Sequence, residues 1–430
     1  MQTVSTMAKV EIPDETLTVI TSYLPWQDRA SLAAAGHVRW KRAVAKTTLQ
    51  IELDSTSTKD LNRALRFVTN HCPLLESLSL RVDQSDMLRE RDRGYVGQWF
   101  QPDNDDDEEG QLSLNGQTLR QAISACSKTL RSISLIFDEC CEDQVGTIIR
   151  EAGYLQCVSQ CSSLQVFISW NLRFDSMEEV VDILRPLSDS LLVLELNYLV
   201  PGGENMMDPY WEDTQLLAEA IAEMPNLRKL SLKHQKFQDE EVEILLGPHD
   251  RKLRALALTG QFGDNMTGGP RPGYLTDASL KKIAQKCPKL QALQVSFNRA
   301  VTKEGIQAVM DACPLRQLYA DACKIKISQW KELLVRCPTL IRLYWSFPEG
   351  VFNMSRQYIH EIEQAIAASE GRTLFLELST GKHEPSKASI GPKAWEKQKE
   401  MTSLFDKFNE EIKEAHSRGD YAFNEWEAYL

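Results

Sequence analysis

The stretch that decides the fold runs L-T-D-A-S-L-K-K-I-A-Q-K-C-P-K-L-Q-A-L-Q-V, from Leu275 to Val295. Its first half sets Leu280, Ile283 and Ala284 at i, i+3 and i+4, the apolar stripe of an amphipathic helix. Pro288, directly after Cys287, cannot continue a helix and ends it there. The second half alternates through Leu293, Gln294 and Val295, the period of a short strand with one apolar side. Helix, corner and strand therefore fit into one short phrase, too small to bury its own apolar face.

The phrase recurs in both directions. Cys313 opens C-P-L-R-Q-L-Y-A after Ile306, Val309 and Met310, and Cys337 opens C-P-T-L-I-R-L-Y-W after Leu333 and Leu334. Earlier copies open at Cys72, Cys126 and Cys161, and versions without cysteine begin at Ser188, Met224 and Asp250. The leading leucines are Leu75, Leu130, Leu164, Leu191, Leu227, Leu253, Leu290, Leu315 and Leu340. The shortest spacings are 25 and 26 residues, and longer ones of 36, 37 and 55 contain insertions. A base period near 26 lies within the ~20–29 residues of leucine-rich arrays. Stacked units of this kind bury a continuous core, with parallel strands lining one side and helices the other. The phrases resemble the cysteine-containing leucine-rich repeat family from Thr48 to Ser379, most clearly from Leu275 to Trp345. An irregular first strand is expected at Leu49–Leu53 and a last one at Leu374–Leu378. The expected class is thus α/β, a leucine-rich-repeat solenoid preceded by a small all-α segment. Cysteine in the tight corner between helix and strand suits packing better than ligation.

The segment before the repeats reads differently. Pro13 followed by Asp14 and Glu15 starts a helix, with acids at its positive dipole end. Leu17, Ile20, Tyr23 and Leu24 continue its stripe, and Pro25 breaks it. Asp28 opens a second helix, and Trp40, Ala43 and Val44 mark a third. About 40 residues cannot build a sufficient core alone, so this piece must dock on something. I-P-D-E-T-L at Ile12–Leu17, I-x-x-Y-L-P at Ile20–Pro25, D-x-x-x-L at Asp28–Leu32 and V-x-W at Val38–Trp40 together resemble an F-box. Ala35-Gly36-His37 departs from the apolar residue and cysteine usual there. The resemblance implies binding to the adaptor Skp1 and, through it, to a cullin–RING ubiquitin ligase. The adaptor-facing positions it implies are Ile12, Pro13, Leu17, Ile20, Leu24, Leu32 and Trp40. The organisation expected is an F-box at 10–48, repeats at 49–380 with rim insertions at 81–115, 199–213 and 260–274, and a capping helix with an acidic tail at 381–430.

Two surfaces could meet a substrate. The insertions leave from one rim and carry aromatics, among them Tyr95, Trp99, Phe100, Tyr210 and Trp211. Aromatic side chains there suit protein recognition or fold back over the repeats. The inner face is drawn from residues between the inward leucines: Ser79, Ser134, Glu195, Ser231, Gln294, Tyr319 and Tyr344, with Arg342 and Gln317 one place earlier. Its late part, Tyr319, Asp321, Arg342 and Tyr344, is the expected recognition patch, joined by Trp99 and Trp211 from the loops. From Pro392 to Gly419 a stripe through Trp395, Leu404, Phe405, Phe408 and Ile412 predicts a terminal capping helix.

Charge narrows the partner class. The chain of 430 residues has a net charge of −12. Six acids lie in one run, Asp103 to Glu109, and the terminal segment from Lys393 holds nine acids against six bases. The rest is nearly balanced, which argues against nucleic acid and against an anionic membrane surface. An acidic rim loop would favour a basic protein partner. No apolar run approaches the ~20 residues of a membrane span, and the N-terminus has no secretory pattern, so cytoplasm or nucleus is expected. No P-loop, G-x-S-x-G, H-E-x-x-H or dinucleotide motif occurs. No cofactor, metal site or catalytic residue is therefore expected. Two readings remain: a non-catalytic substrate receptor of a Skp1–cullin–F-box ligase, or a ligase-independent repeat scaffold whose N-terminal helices only cap the array.

Overall fold

A computed structural model describes residues 50–55, 58–82, 116–137, 154–170, 173–174, 176–197, 199–201, 214–233, 235, 237–247, 251–260, 275–296, 298–320, 323–346, 374–379 and 386–390. The expected F-box, most of the three insertions, the acidic run and the terminal helix lie outside these residues. The chain divides into two compact units, Met1–Ser163 and Leu164–Leu430.

The first unit alternates strand and helix: β1 (Gln50–Ser55), α1 (Thr58–His71), β2 (Ser77–Val82), α2 (Gly116–Cys126), β3 (Ser132–Phe137) and α3 (Tyr154–Val158). The strands are parallel, with Ile51 beside Leu78 and Leu78 beside Ile133. Leu53, Leu80 and Leu135 form a second buried row two residues on. Leu61, Leu65 and Val68 of α1 and Leu119 and Ile123 of α2 are buried at 1% exposure or less, each burial contributing ~1.5–3 kcal/mol before entropy is counted.

The second unit continues the alternation. It contains β4 (Val166–Trp170), β5 (Arg173–Phe174), α4 (Met177–Leu184), β6 (Val193–Asn197), β7 (Val200–Pro201), α5 (Thr214–Ala222), β8 (Lys229–Lys233) and α6 (Asp239–Leu246). Then come β9 (Ala255–Thr259), α7 (Asp277–Lys286), β10 (Ala292–Gln294), α8 (Lys303–Ala312), β11 (Gln317–Tyr319), α9 (Ile327–Arg336), β12 (Arg342–Ser346), β13 (Leu374–Ser379) and β14 (Ser386–Ile390). The sheet order is β4-β6-β8-β9-β10-β11-β12-β13-β14, parallel except for β14, while β5 and β7 form a short pair of their own. The strand expected near Leu374–Leu378 is present as β13. The antiparallel β14 is a feature the repeat pattern did not predict, and it carries the sheet past residue 380.

The spacing of the leucines has a backbone cause. One carbonyl of each repeat accepts two successive N–H groups from the next. Gln165 O accepts from Leu192 and Val193, Leu192 O from Arg228 and Lys229, and Arg228 O from Arg254 and Ala255. Arg254 O takes Gln291 and Ala292, Gln291 O takes Arg316 and Gln317, and Arg316 O takes Ile341 and Arg342. The steps along this ladder follow the leucine spacings. The leading leucines it fixes, from Leu164 to Leu340, are all buried at 1% or less.

Helix ends add a second ladder. Asp239, at the start of α6, accepts from the backbone N of Thr276 at 2.9 Å, from its hydroxyl at 2.6 Å, and from Ser279 Oγ. Thr276 in turn caps α7 through the N–H of Ala278. Asp277 repeats the arrangement with Thr302, at 2.8 and 2.6 Å, and Thr302 caps α8. Burial raises the Asp239 carboxyl, but hydrogen bonds from Ser279 and Thr276 hold it below the ordinary aspartate value. Gly305 sits where α8 meets α7. A Cβ there would press on Asp277 Oδ1 and come within 2.9 Å of Leu280 Cδ1.

The corner cysteines act as packed donors. Cys126 Sγ lies 3.1 Å from Cys72 O, Cys313 Sγ 3.4 Å from Cys287 O, and Cys323 Sγ 3.3 Å from Val295 O. The cysteines among the described residues are all free and buried. Burial pushes the thiols of Cys126 and Cys313 up to about 11 and that of Cys161 up to about 12. In the Asp250 repeat, which lacks cysteine, Arg251 donates instead to the carbonyls of Ile221 and Ala222, closing the end of α5.

Candidate functional site

Strand alternation divides the second unit's sheet into two sides. Leu194, Leu230, Leu256, Leu293, Leu318 and Leu343 are register neighbours, buried on the helix side. The residues on either side of each leucine point the other way. One row runs Ile168, Glu195, Ser231, Ala257, Gln294, Tyr319 and Tyr344, and this opposite face is the candidate interaction surface.

Of the expected recognition residues, Tyr319, Arg342 and Tyr344 lie within the described residues. Asp321, Trp99 and Trp211 lie outside them, as do Ile12, Pro13, Leu17, Ile20, Leu24, Leu32 and Trp40. Tyr319 and Tyr344 are adjacent in register and stack, with ring centroids 5.6 Å apart and planes 25° apart. Tyr319 is only 7% exposed, so it supports Tyr344 more than it presents itself; Tyr344 and Arg342 are half-buried. Gln317 and Gln294 share this face, and the side-chain carbonyl oxygen of each is buried without a hydrogen-bond partner. Such an atom forgoes roughly 1–3 kcal/mol until something donates to it.

A second cluster, earlier in the sheet, was not anticipated. Lys229 Nζ pairs with Glu195 Oε1 across neighbouring strands, with side chains 12% and 9% exposed. Asn197 Oδ1 accepts from Ser231 Oγ at 2.9 Å and from the backbone N of Lys233 at 3.1 Å. A backbone N–H can only donate, so the amide's orientation follows, and its Nδ2 is a donor. That Nδ2 is fully buried and has no acceptor. Trp170 is the register neighbour of Asn197, and Lys233 reaches across so that its Nζ lies 5.8 Å from the Trp170 ring centroid. Burial pulls the Lys233 ammonium below the ordinary lysine value; Glu195 raises it and Lys229 lowers it further. The sequence placed Glu195 and Ser231 on the inner face but did not bring them together with Trp170, Asn197, Lys229 and Lys233, because their meeting depends on register between segments some thirty residues apart.

Among the described residues no group of His, Cys, Asp and Glu is placed to hold a metal ion, and no helix is long and apolar enough to cross a membrane. The arrangement offers hydrogen-bonding groups, one cation in excess and an aromatic stack, which is the chemistry of recognition. No family model matches the chain, and no curated protein matches it. Among solved structures it is similar to the crystal structure of the Rad7 and Elc1 complex in yeast, at 16% identity over 77% of this chain and 88% of that chain. The TM-score is 0.37, a likeness too loose to assign a role.

Proposed function

We propose that the protein is a substrate-recognition subunit of a Skp1–cullin–F-box ubiquitin ligase, built on leucine-rich repeats. The observation that carries this reading is the ordered pattern from Ile12 to Trp40 placed directly before a repeat array. In this reading Ile12, Pro13, Leu17, Ile20, Leu24, Leu32 and Trp40 form the Skp1-binding surface. The inner face around Tyr319, Asp321, Arg342 and Tyr344, with Trp99 and Trp211 from the rim loops, receives a protein substrate. The chain does no bond chemistry itself; it acts by holding the substrate near a ubiquitin-charged partner. Ubiquitination and proteasomal degradation of that substrate are the outcome, and the setting is cytoplasm or nucleus.

The second reading is a ligase-independent repeat scaffold, and the stacked tyrosines and unpartnered amides serve it equally well. Skp1 co-purification separates the two. The Pro13→Ala, Leu17→Ala double variant abolishes it while circular dichroism and the thermal midpoint of the repeats stay unchanged. Adaptor binding retained by that variant, or absent from the wild type, overturns the receptor reading and leaves the scaffold.

A further inference from the structure

The corner formed by Trp170, Asn197 and Lys233 has the composition of a binding site, with two donors, Asn197 Nδ2 and Lys233 Nζ, that no described residue satisfies. Its floor is the Asn197 amide, buried at 0% exposure, whose Nδ2 has no acceptor. Above it the Lys233 ammonium rests against the Trp170 ring and, among the described residues, makes no hydrogen bond or ion pair. Among the described residues the anion that acts on it, Glu195, is already paired to Lys229, so these two lysines and one glutamate leave one positive charge over. Two donors of fixed position and one excess charge suit a carboxylate, whose two oxygens accept from both.

The same face says how the rest of a ligand would run. Gln294 presents an unpartnered carbonyl oxygen between this corner and the Tyr319–Tyr344 stack, and Gln317 presents another beside the stack, two residues before Tyr319 on β11. Those oxygens can accept from backbone N–H groups of an extended chain. From β8 to β11 is three strand spacings, about 14 Å, which an extended segment covers in about four residues.

We propose that the Trp170–Asn197–Lys233 corner binds the carboxylate side chain of an acidic, extended segment of the protein partner, with an apolar or aromatic residue of that segment about four positions away on the tyrosine stack. This deepens the recognition reading above. It rests on the inner face meeting a partner and is independent of Skp1. Acidity here is opposite to the basic partner that the acidic rim loop alone would attract.

The test is selection of phage-displayed nonapeptides on the full-length chain, followed by fluorescence anisotropy of the best binder and of its Glu→Gln or Asp→Asn counterpart. The expected result is enrichment of an acidic residue about four positions from an apolar one. Amide replacement in the peptide weakens binding by about tenfold, the size of one charge-assisted hydrogen bond. Lys233→Met removes that preference without further weakening the amide peptide, Asn197→Asp removes it by repulsion, and Lys233→Arg keeps most of it. No acidic enrichment on the wild type, or equal binding of acid and amide peptides, overturns the proposal. The peptide comparison decides even if a protein variant fails to fold. A chain that binds Skp1 but shows no acidic preference loses this site alone. One that selects acidic peptides without binding Skp1 keeps the site and loses the receptor reading.

Discussion

The two sides of the second unit's sheet come from the same strands, one residue apart, and have opposite chemistry. On the helix side, Leu293 and Leu318 are at most 1% exposed, and Ile283, Ile306 and Val309 of the helices are at 0%. On the other side, Gln294 and Gln317 leave carbonyl oxygens unpartnered, and Asn197 leaves a buried donor. Stability is thus concentrated on one side. The other side carries unsatisfied polar groups, a local conflict that folded proteins keep mainly where something else binds.

Adjacent residues give the sharpest contrast. Leu318→Ala should lower the unfolding free energy by about 2–5 kcal/mol in urea denaturation, because it opens a cavity in a core that cannot collapse around it. A cost under about 1 kcal/mol would mean that the helix side is not the load the burial suggests.

The buried thiols come next. The ordinary value is 9.0, and burial lifts Cys126 and Cys313 to about 11 and Cys161 to about 12. The folded state therefore prefers the neutral thiol. Its stabilising effect is complete below pH ~9 and is lost as the pH rises toward 11–12. Thermal midpoints should hold from pH 7 to 8.5 and fall above pH 9, with a loss of about 1–2 kcal/mol for each thiol by pH 10.5. Iodoacetamide at pH 8 should leave these thiols unmodified until denaturant is added. Rapid labelling of the folded chain would contradict the burial.

The smallest effect belongs to Gln317→Ala. It removes an oxygen that already lacks a partner, so the unfolding free energy should hold or rise by up to about 1 kcal/mol. A loss near that of Leu318→Ala would erase the contrast between the sides.

How far the sequence could be read follows the same division. Leu227, Leu253, Leu290, Leu315 and Leu340 announced the array because a spacing repeated along the chain is visible without three dimensions. The helices before Cys287, Cys313 and Cys337 were equally legible, since their apolar periodicity is local. The Asp239–Thr276 and Asp277–Thr302 ladder was written as F-Q-D, L-T-D and V-T-K before each helix, yet ordinary capping residues do not reveal that they also join neighbouring helices. β14 escaped because Ser386–Ile390 is mostly polar and short. The Trp170–Asn197–Lys233 corner was illegible: parity places each residue on a face, but only strand register puts the three together. The stacking of Tyr319 and Tyr344 was likewise a matter of register.

The carbonyl that accepts two N–H groups from the following repeat sets a rule for how such a chain can change length. Between Gln291 and Arg316, or between Arg316 and Ile341, a whole 25-residue step can be removed or copied and the next carbonyl still meets the next pair of donors. Steps of 25, 26, 27, 36 and 37 residues all keep the two donors on the carbonyl, so the stretch between corners tolerates changes in length that the corner itself does not. Growth in whole modules is therefore nearly neutral, while single-residue editing at the corners is not, and lineages of this architecture would diverge by counting repeats more readily than by trimming their corners.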